Sequence, residues 1–292
     1  MKLQENHSIK RIHNPSQSEF LELWKQYQPF IINGVAENWN AYQKWANNYL
    51  VEVCGNNTVP VETYGQDFFE DYNYACQDYC HTKEMKFKEY IDVINGNNKD
   101  NHLSYYLAQV DFNQKFPQLN KDIVYPEYLS RKAKIVYLFF GFANKTSASS
   151  TCLHFDDAHN IFVQIRGRKR LLLFPPTDYL SFYPPLEDNK YSPTCSKVNP
   201  NNSDLESFPK FPWQEKKEVI LEAGEILYIP PLWWHHVTAI DENISLTFWY
   251  PVNIKDFFSQ KELFSVVRQI APRVIPRLIS SQITRWLKSK SN

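Results

Sequence analysis

The chain has 292 residues, 43% of them hydrophobic and 16% aromatic, enough to build one large core or two small ones. Its 32 basic and 32 acidic residues cancel. The charge pattern of a strongly basic nucleic-acid binder is therefore absent overall, although a local patch could still meet RNA. No apolar stretch is long enough to span a membrane, and the polar first fifteen residues lack the apolar core of a secretory signal. With five cysteines, an odd number, reduced thiols and a cytoplasmic setting are expected.

Residues 16–27 carry Phe20, Leu21, Leu23 and Trp24 at helical spacing. Residues 29–34 read as a short buried strand closed by a turn at Gly34, and residues 40–51 as an aromatic amphipathic helix. Cys76 and Cys80, followed by His81, have the spacing of a metal half-site. No second cysteine pair completes it, and the plainer reading is two ordinary thiols. A helix is predicted over 87–94, ended by Asn95-Gly96, and a strand rich in Tyr and Leu over 102–110.

Beyond residue 133 the pattern changes. The continuous apolar run over 135–142 predicts a core strand. Residues 161–165 and 170–174 flank Arg166-Gly167-Arg168-Lys169, two apolar runs joined by a short glycine turn, which predicts a hairpin. Pro175-Pro176 stops the second strand, and residues 176–212 form a long loop, of the kind that is functional or mobile. Further strands are expected over 219–221, 226–229 and 245–250. Many short strands with Gly and Pro turns predict a mainly β fold, a sandwich or jelly roll with flanking helices. Residues 1–254 are assigned to this domain. Residues 255–292 form a basic, helically spaced tail broken by Pro272 and Pro276, suited to packing on its own core or to homodimerisation.

Two segments carry the chemistry. In His154-Phe155-Asp156, a strand would put the histidine and the aspartate on one face. Some eighty residues later comes Pro230-Pro231-Leu232-Trp233-Trp234-His235-His236, in which two prolines stiffen a bend and two tryptophans can pack it. His-x-Asp alone is a weak pattern, and a histidine beside tryptophan is often a satisfied core residue. Together, two histidines and one carboxylate match the facial donor set of non-haem Fe(II) oxygenases, which leaves three metal positions open. His235 and His236 compete for the third place. On a strand they point to opposite faces.

With these residues in view, the chain resembles the JmjC-type, cupin-like Fe(II)- and 2-oxoglutarate-dependent oxygenases. It is similar to the asparaginyl hydroxylase acting on hypoxia-inducible factor and to the tRNA wybutosine hydroxylase. The resemblance runs through residues 29–45, 151–176 and 224–249, and is poor in the long loop and the tail. It implies a double-stranded β-helix (jelly-roll) core. It implies an iron centre of His154, Asp156 and His235, with 2-oxoglutarate and O2 as co-substrates. The reaction would couple decarboxylation to succinate with hydroxylation of a C–H bond. It also implies that Lys169 pairs with the distal carboxylate of 2-oxoglutarate, although the residue alone reads as one of several basic hairpin residues. Tyr106, Thr151, Asn160 and Thr247 fall at co-substrate positions, Trp249 at the mouth, and His159 beside the site. Two departures stand out. Thr247 replaces an Asn of the asparaginyl hydroxylase, and residues 193–199 lack that enzyme's Arg-Gln pair. The expected substrate is a protein side chain. A modified tRNA base, a small molecule, or a silent cupin that binds without turnover are the alternatives.

Overall fold

A computed structural model describes residues 8–65, 81–97, 103–129, 132–142, 148–186, 192–253 and 264–272. Two β-sheets face each other. The larger has nine strands in the order β1-β2-β10-β7-β12-β6-β5-β3-β4, and the smaller has three in the order β11-β8-β9. Strands β1 to β4 are Lys10–His13, Phe30–Asn33, Thr58–Gly65 and His81–Lys86. Strands β5 to β8 are Leu103–Asp111, Ile135–Gly141, Ala158–Arg166 and Lys169–Phe174. Strands β9 to β12 are Lys217–Leu221, Ile226–Ile229, Trp234–Ala239 and Asn243–Pro251. Two facing, mostly antiparallel sheets are the jelly-roll core that the sequence predicts.

Three clusters of buried side chains divide the molecule into layers. The outer face of the large sheet is covered by the N-terminal helices, through residues such as Phe20, Trp24, Trp45 and Phe112. The first helix, α1 (Gln17–Trp24), begins with a capping box: Ser16 Oγ accepts from Glu19 N and Glu19 Oε2 accepts from Ser16 N. The helix expected over 40–51 is two, α2 (Asn40–Lys44) and α3 (Asn47–Cys54), because Ala46 is extended. Trp45 anchors the break, its ring buried and its Nε1 donating to Asp122 at 3.2 Å. Between the sheets lies a second cluster, in which Ile31, Phe162 and Leu227 of the large sheet meet Leu171, Leu173 and Val237 of the small one. A third cluster covers the outer face of the small sheet. There Leu172, Phe174 and Trp234 pack under Tyr179 and Phe211 of the long connection and under Val266 and Ile270 of the helical residues 264–272.

Strand β6 shows why the space between the sheets can hold a site. Its outward residues Val136, Leu138 and Phe140 are at most 3% exposed beneath the helices. Its inward residues Ile135, Tyr137 and Phe139 are only half-buried. An inner face less buried than the outer one faces a cavity open to solvent rather than a filled core.

The sequence reading did not foresee strands β1, β3, β4 and β11. Strands β1 and β4 are polar edge strands, β3 beside β4 carries Pro60 and charged or polar residues, and β11 begins within the Trp-Trp-His segment read as a bend. The hairpin expected around Gly167 is not one, because β7 belongs to the large sheet and β8 to the small one. Cys76 and Cys80, and the side chain of His81, lie outside the described residues. So do most residues of the 255–292 tail. Its helical residues 264–272 pack on the chain's own small sheet, where Gln269 Oε1 accepts from Tyr179 N at 3.1 Å.

Candidate metal centre

His235 is held on β11 and His154 on the segment beside it. The two residues exchange backbone hydrogen bonds, His154 N to His235 O at 3.0 Å and His235 N to His154 O at 2.7 Å, so they stand directly opposite on one face. Their rings lie 4.2 Å apart, tilted by 54°. Asp156, two residues on, closes the triangle. One carboxylate oxygen is 3.9 Å from His154 Nε2 and the other is 3.7 Å from His235 Nε2. All three donor atoms fall within 4.8 Å of one another. The spacing is too long for hydrogen bonds among them and suits a shared cation at the centre.

The tautomers agree with that use. His154 Nδ1 lies 2.8 Å from Cys152 O, and His235 Nδ1 2.9 Å from Trp233 O. A carbonyl oxygen only accepts, so both Nδ1 atoms carry the proton and both Nε2 atoms present a lone pair to the centre. Burial pushes His235 down to about 3, so it is neutral at any working pH. Burial also raises the Asp156 carboxyl, while the neighbouring His154 and a hydrogen bond from Asn160 Nδ2 at 3.3 Å pull it back. A carboxylate that is costly to bury bare is one that a divalent cation would stabilise. The Pro230-Pro231 bend ends at Leu232, which has φ 65°. Leu232 N donates to Asp156 O at 2.8 Å, and Trp233 Nε1 donates to Tyr27 O at 3.0 Å. Thus the segment that delivers His235 is tied both to the aspartate and to the chain after α1.

His236 points the other way, as alternation requires. Its Nε2 accepts from Asn201 Nδ2 at 2.8 Å and lies 3.0 Å from Thr238 Oγ1. It stands outside the donor triangle.

Thr151 shares the face of His154 although it lies three positions before it. Thr151 pairs with Val237 and His154 with His235, so three steps on one strand match two on the other. That one-residue bulge resets the alternation. Thr151 Oγ1 accepts from Val237 N at 3.1 Å, leaving the hydroxyl proton available to donate.

Lys169 is 1% exposed, on the inner face of β8. Its ammonium sits 5.3 Å from the rings of Phe139 and Phe162 and 6.0 Å from that of Tyr106. Among the described residues no carboxylate pairs with it, and burial depresses it to about 7. Tyr106 keeps its phenol neutral, its pKa raised well above the ordinary value by burial. It lies against Gly141, where a Cβ would come within 2.9 Å of Tyr106 Cε2.

Asn160, Thr247 and Trp249 share the inner face of the large sheet. Trp249 pairs with Asn160, and Thr247 with Phe162. Asn160 Oδ1, Thr247 Oγ1 and Trp249 Nε1 are buried with no hydrogen-bond partner among the described residues. Thr247 Oγ1 and Trp249 Nε1 can each donate, and two orphaned donors beside a buried cation are what a dianionic, acceptor-only molecule would satisfy, whereas Asn160 Oδ1 can only accept. The donor triangle and this polar surface therefore fit Fe(II) and 2-oxoglutarate.

One expected site residue is elsewhere. His159 lies on the outer face of β7, fully buried and stacked on Trp24 at 4.2 Å, with Nδ1 2.8 Å from Tyr228 Oη. Alternation along β7 turns Asn160 inward and His159 outward, so His159 packs the helix layer and does not line the site. Conversely, the sequence reading missed Tyr137, which faces inward from β6 and meets Trp249 edge-on at 5.3 Å. It also missed Phe139 and Phe162 as walls around Lys169. The odd positions of β6, read against an inward Thr247, would have pointed to both Tyr137 and Phe139.

Comparison with known proteins agrees with this geometry. The cupin-like domain family matches residues 16–256. The lysine-specific demethylase JMJ30 of Arabidopsis thaliana is 33% identical over 76% of this chain and 49% of its own length. The JmjC domain-containing protein D of Dictyostelium discoideum is 33% identical over 82% of this chain and 55% of its own. The tRNA wybutosine-synthesizing protein 5 of Mus musculus is 28% identical over 82% and 77%. The chain thus spans about half the length of the JmjC relatives. A match through both halves of the barrel, including the segments that carry His154, Asp156 and His235, means that this chain belongs to the cupin-like, JmjC-type family.

Proposed function

We propose that the protein is an Fe(II)- and 2-oxoglutarate-dependent oxygenase that hydroxylates a C–H bond of a protein side chain. The observation that carries this reading is Lys169, a buried cation without an anionic partner among the described residues, on the interior face shared with the His-Asp-His triangle. A histidine pair and a carboxylate serve many metals. A cation held in an aromatic box in the same cavity adds a demand for a carboxylate ligand.

His154 Nε2, His235 Nε2 and an Asp156 oxygen would hold the iron on one face. Bound Fe(II) would supply oxygen activation at its open positions, driven by decarboxylation of 2-oxoglutarate. Lys169 binds the distal carboxylate by charge. Thr151, Tyr106, Asn160 and Thr247 would orient the rest of that molecule. The Phe139 and Phe162 rings keep water from the pair, which strengthens it. Tyr137 and Trp249 form a wall on the Asp156 side of the site, where a substrate side chain would enter. The Trp249 indole offers a hydrogen bond there.

A protein substrate is supported by the relatives named for lysine, whose target is a side chain, and by the charge balance of the chain. Hydroxylation of an N-methyl carbon would give demethylation by the same chemistry. The likeness to the wybutosine protein over 77% of its length supports a modified tRNA base as the second reading. The test is succinate formation from 2-oxoglutarate with pooled peptides and with pooled tRNA. Stimulation by peptides and a +16 Da product are expected. Stimulation by tRNA alone would replace the first reading with the second, and succinate in neither case with no bound 2-oxoglutarate would remove both.

A further inference from the structure

Cys152 and Cys195 have no part in the proposed reaction, yet they sit against the metal strand. Their sulfurs are 3.4 Å apart, between residues 43 positions apart in the chain. They are 8% and 9% exposed. Cys195 stands opposite His154 in an antiparallel bridge. Backbone bonds flank it on both sides, Ser196 N to Leu153 O at 2.8 Å and Phe155 N to Thr194 O at 3.0 Å. The two thiols are therefore presented to each other by a hydrogen-bonded strand pair rather than by a mobile tip. A disulfide needs about 2.05 Å between sulfurs, so roughly 1.4 Å of approach closes the gap.

We propose that Cys152 and Cys195 are a dithiol site for hydrogen peroxide, and that its oxidation to an intramolecular disulfide loosens the metal centre. One sulfur attacks the O–O bond of the peroxide, forming an S–O bond and releasing one water. The second sulfur displaces that hydroxyl, which leaves as a second water. Two S–H bonds and one O–O bond are broken, one S–S bond and two waters are formed, and the dithiol gives up two electrons to the peroxide. The link joins the long connection over residues 176–212 to the strand that carries His154.

The metal responds through one carbonyl. Cys152 O accepts the Nδ1 proton of His154 at 2.8 Å, which fixes the tautomer and the ring direction. Drawing the Cys152 side chain toward Cys195 turns the peptide that bears this carbonyl. Losing such a partner of a ligating histidine costs about 10- to 100-fold in metal affinity. This coupling rests on the metal-centre reading; the dithiol itself does not.

The test uses the full chain stripped of metal. Protein is treated with hydrogen peroxide, quenched with catalase, alkylated and peptide-mapped. Mn(II) binding is followed by electron paramagnetic resonance before treatment, after it, and after reduction with a phosphine. Cys195→Ser, checked for folding by circular dichroism, runs in parallel. The expected result is a linked Cys152–Cys195 peptide, a Kd for Mn(II) raised about tenfold and restored by reduction, and neither change in Cys195→Ser. Absence of the linked peptide in the wild type overturns the dithiol site. A linked protein that binds Mn(II) as tightly as the reduced one overturns the coupling. If the reduced protein does not bind Mn(II), the metal reading has failed and the coupling with it, while the peptide map still decides the dithiol.

Discussion

Lys169 and Asp156 are both ionisable groups held against their preference by burial, and a ligand reverses the preference of each. Lys169 is depressed to about 7, below the ordinary lysine value, so between about 7 and the unfolded value near 10.4 the native state holds fewer protons than the unfolded one. The cost of burying its charge is thus fully present below pH 7 and disappears as pH rises toward the unfolded value. A bound carboxylate lifts the pKa again. Binding of 2-oxoglutarate to the Mn(II)-loaded protein should therefore take up close to one proton at pH 8, and its affinity should fall as pH rises above 7. Calorimetry in two buffers of different ionisation enthalpy measures this. Lys169→Ala should remove the proton uptake and weaken binding by about 2–5 kcal/mol, the range for stripping one partner from a buried charge pair. Uptake of no proton by the wild type would place the carboxylate elsewhere. At this scale the donor set was legible because His-x-Asp and His235 keep strict alternation on their strands. Thr151 needed a bulge and His159 needed its strand's phase, and neither is written in local residue type.

The turn between β7 and β8, which crosses from the large sheet to the small one, sets where Lys169 sits. Its turn residue Gly167 has φ 65°, and a Cβ there would come within 2.0 Å of Glu242 O. Asp241 braces the same turn, accepting from Arg168 N at 2.6 Å. Gly167→Ala adds left-handed strain to a backbone clash and should cost at least ~2 kcal/mol, seen as a lower Tm, together with a raised KM for 2-oxoglutarate. A variant with wild-type Tm and KM would show that the turn tolerates the side chain and does not position Lys169. The two strands and their turn were legible from two apolar runs around a glycine, but the expected hairpin pairing is not formed: β7 pairs with β10 and β12, and β8 with β11 and β9, so the turn carries the chain from one sheet to the other. The strands β3 and β4 were not legible, since Pro60 and charged residues obscure their apolar pattern on a sheet edge. The helix over 40–51 was read through a break that only the burial of Trp45 explains.

Across the whole molecule, the covered outer face of the small sheet links the tail to the site. Residues 264–272 bring Val266 and Ile270 onto Trp234 and Phe174, the side chains that alternate with His235 and Leu173 along β11 and β8. Removing the chain after residue 253 exposes that apolar layer. The truncated protein should lose at least ~3 kcal/mol of stability, the low end of the burial of two large aliphatic side chains, and show a lower Tm. An unchanged Tm with a halved mass by light scattering would mean instead that the tail works between two copies. The division into barrel and tail came from composition alone, which registers helical spacing but not the surface it covers. The substrate was the least legible feature, because loops choose it on a shared scaffold.

The proposed oxygenase activity requires that His154, Asp156 and His235 bind an iron that 2-oxoglutarate joins beside Lys169. The most direct measurement is an anaerobic Fe(II) titration with 2-oxoglutarate present, followed by admission of air and assay of succinate, in the wild type and in His235→Ala. The wild type should bind one equivalent of Fe(II), retain 2-oxoglutarate and form succinate, with all three lost in the variant. Equal iron binding by both proteins, or iron binding without any retention of 2-oxoglutarate, would contradict the proposed activity.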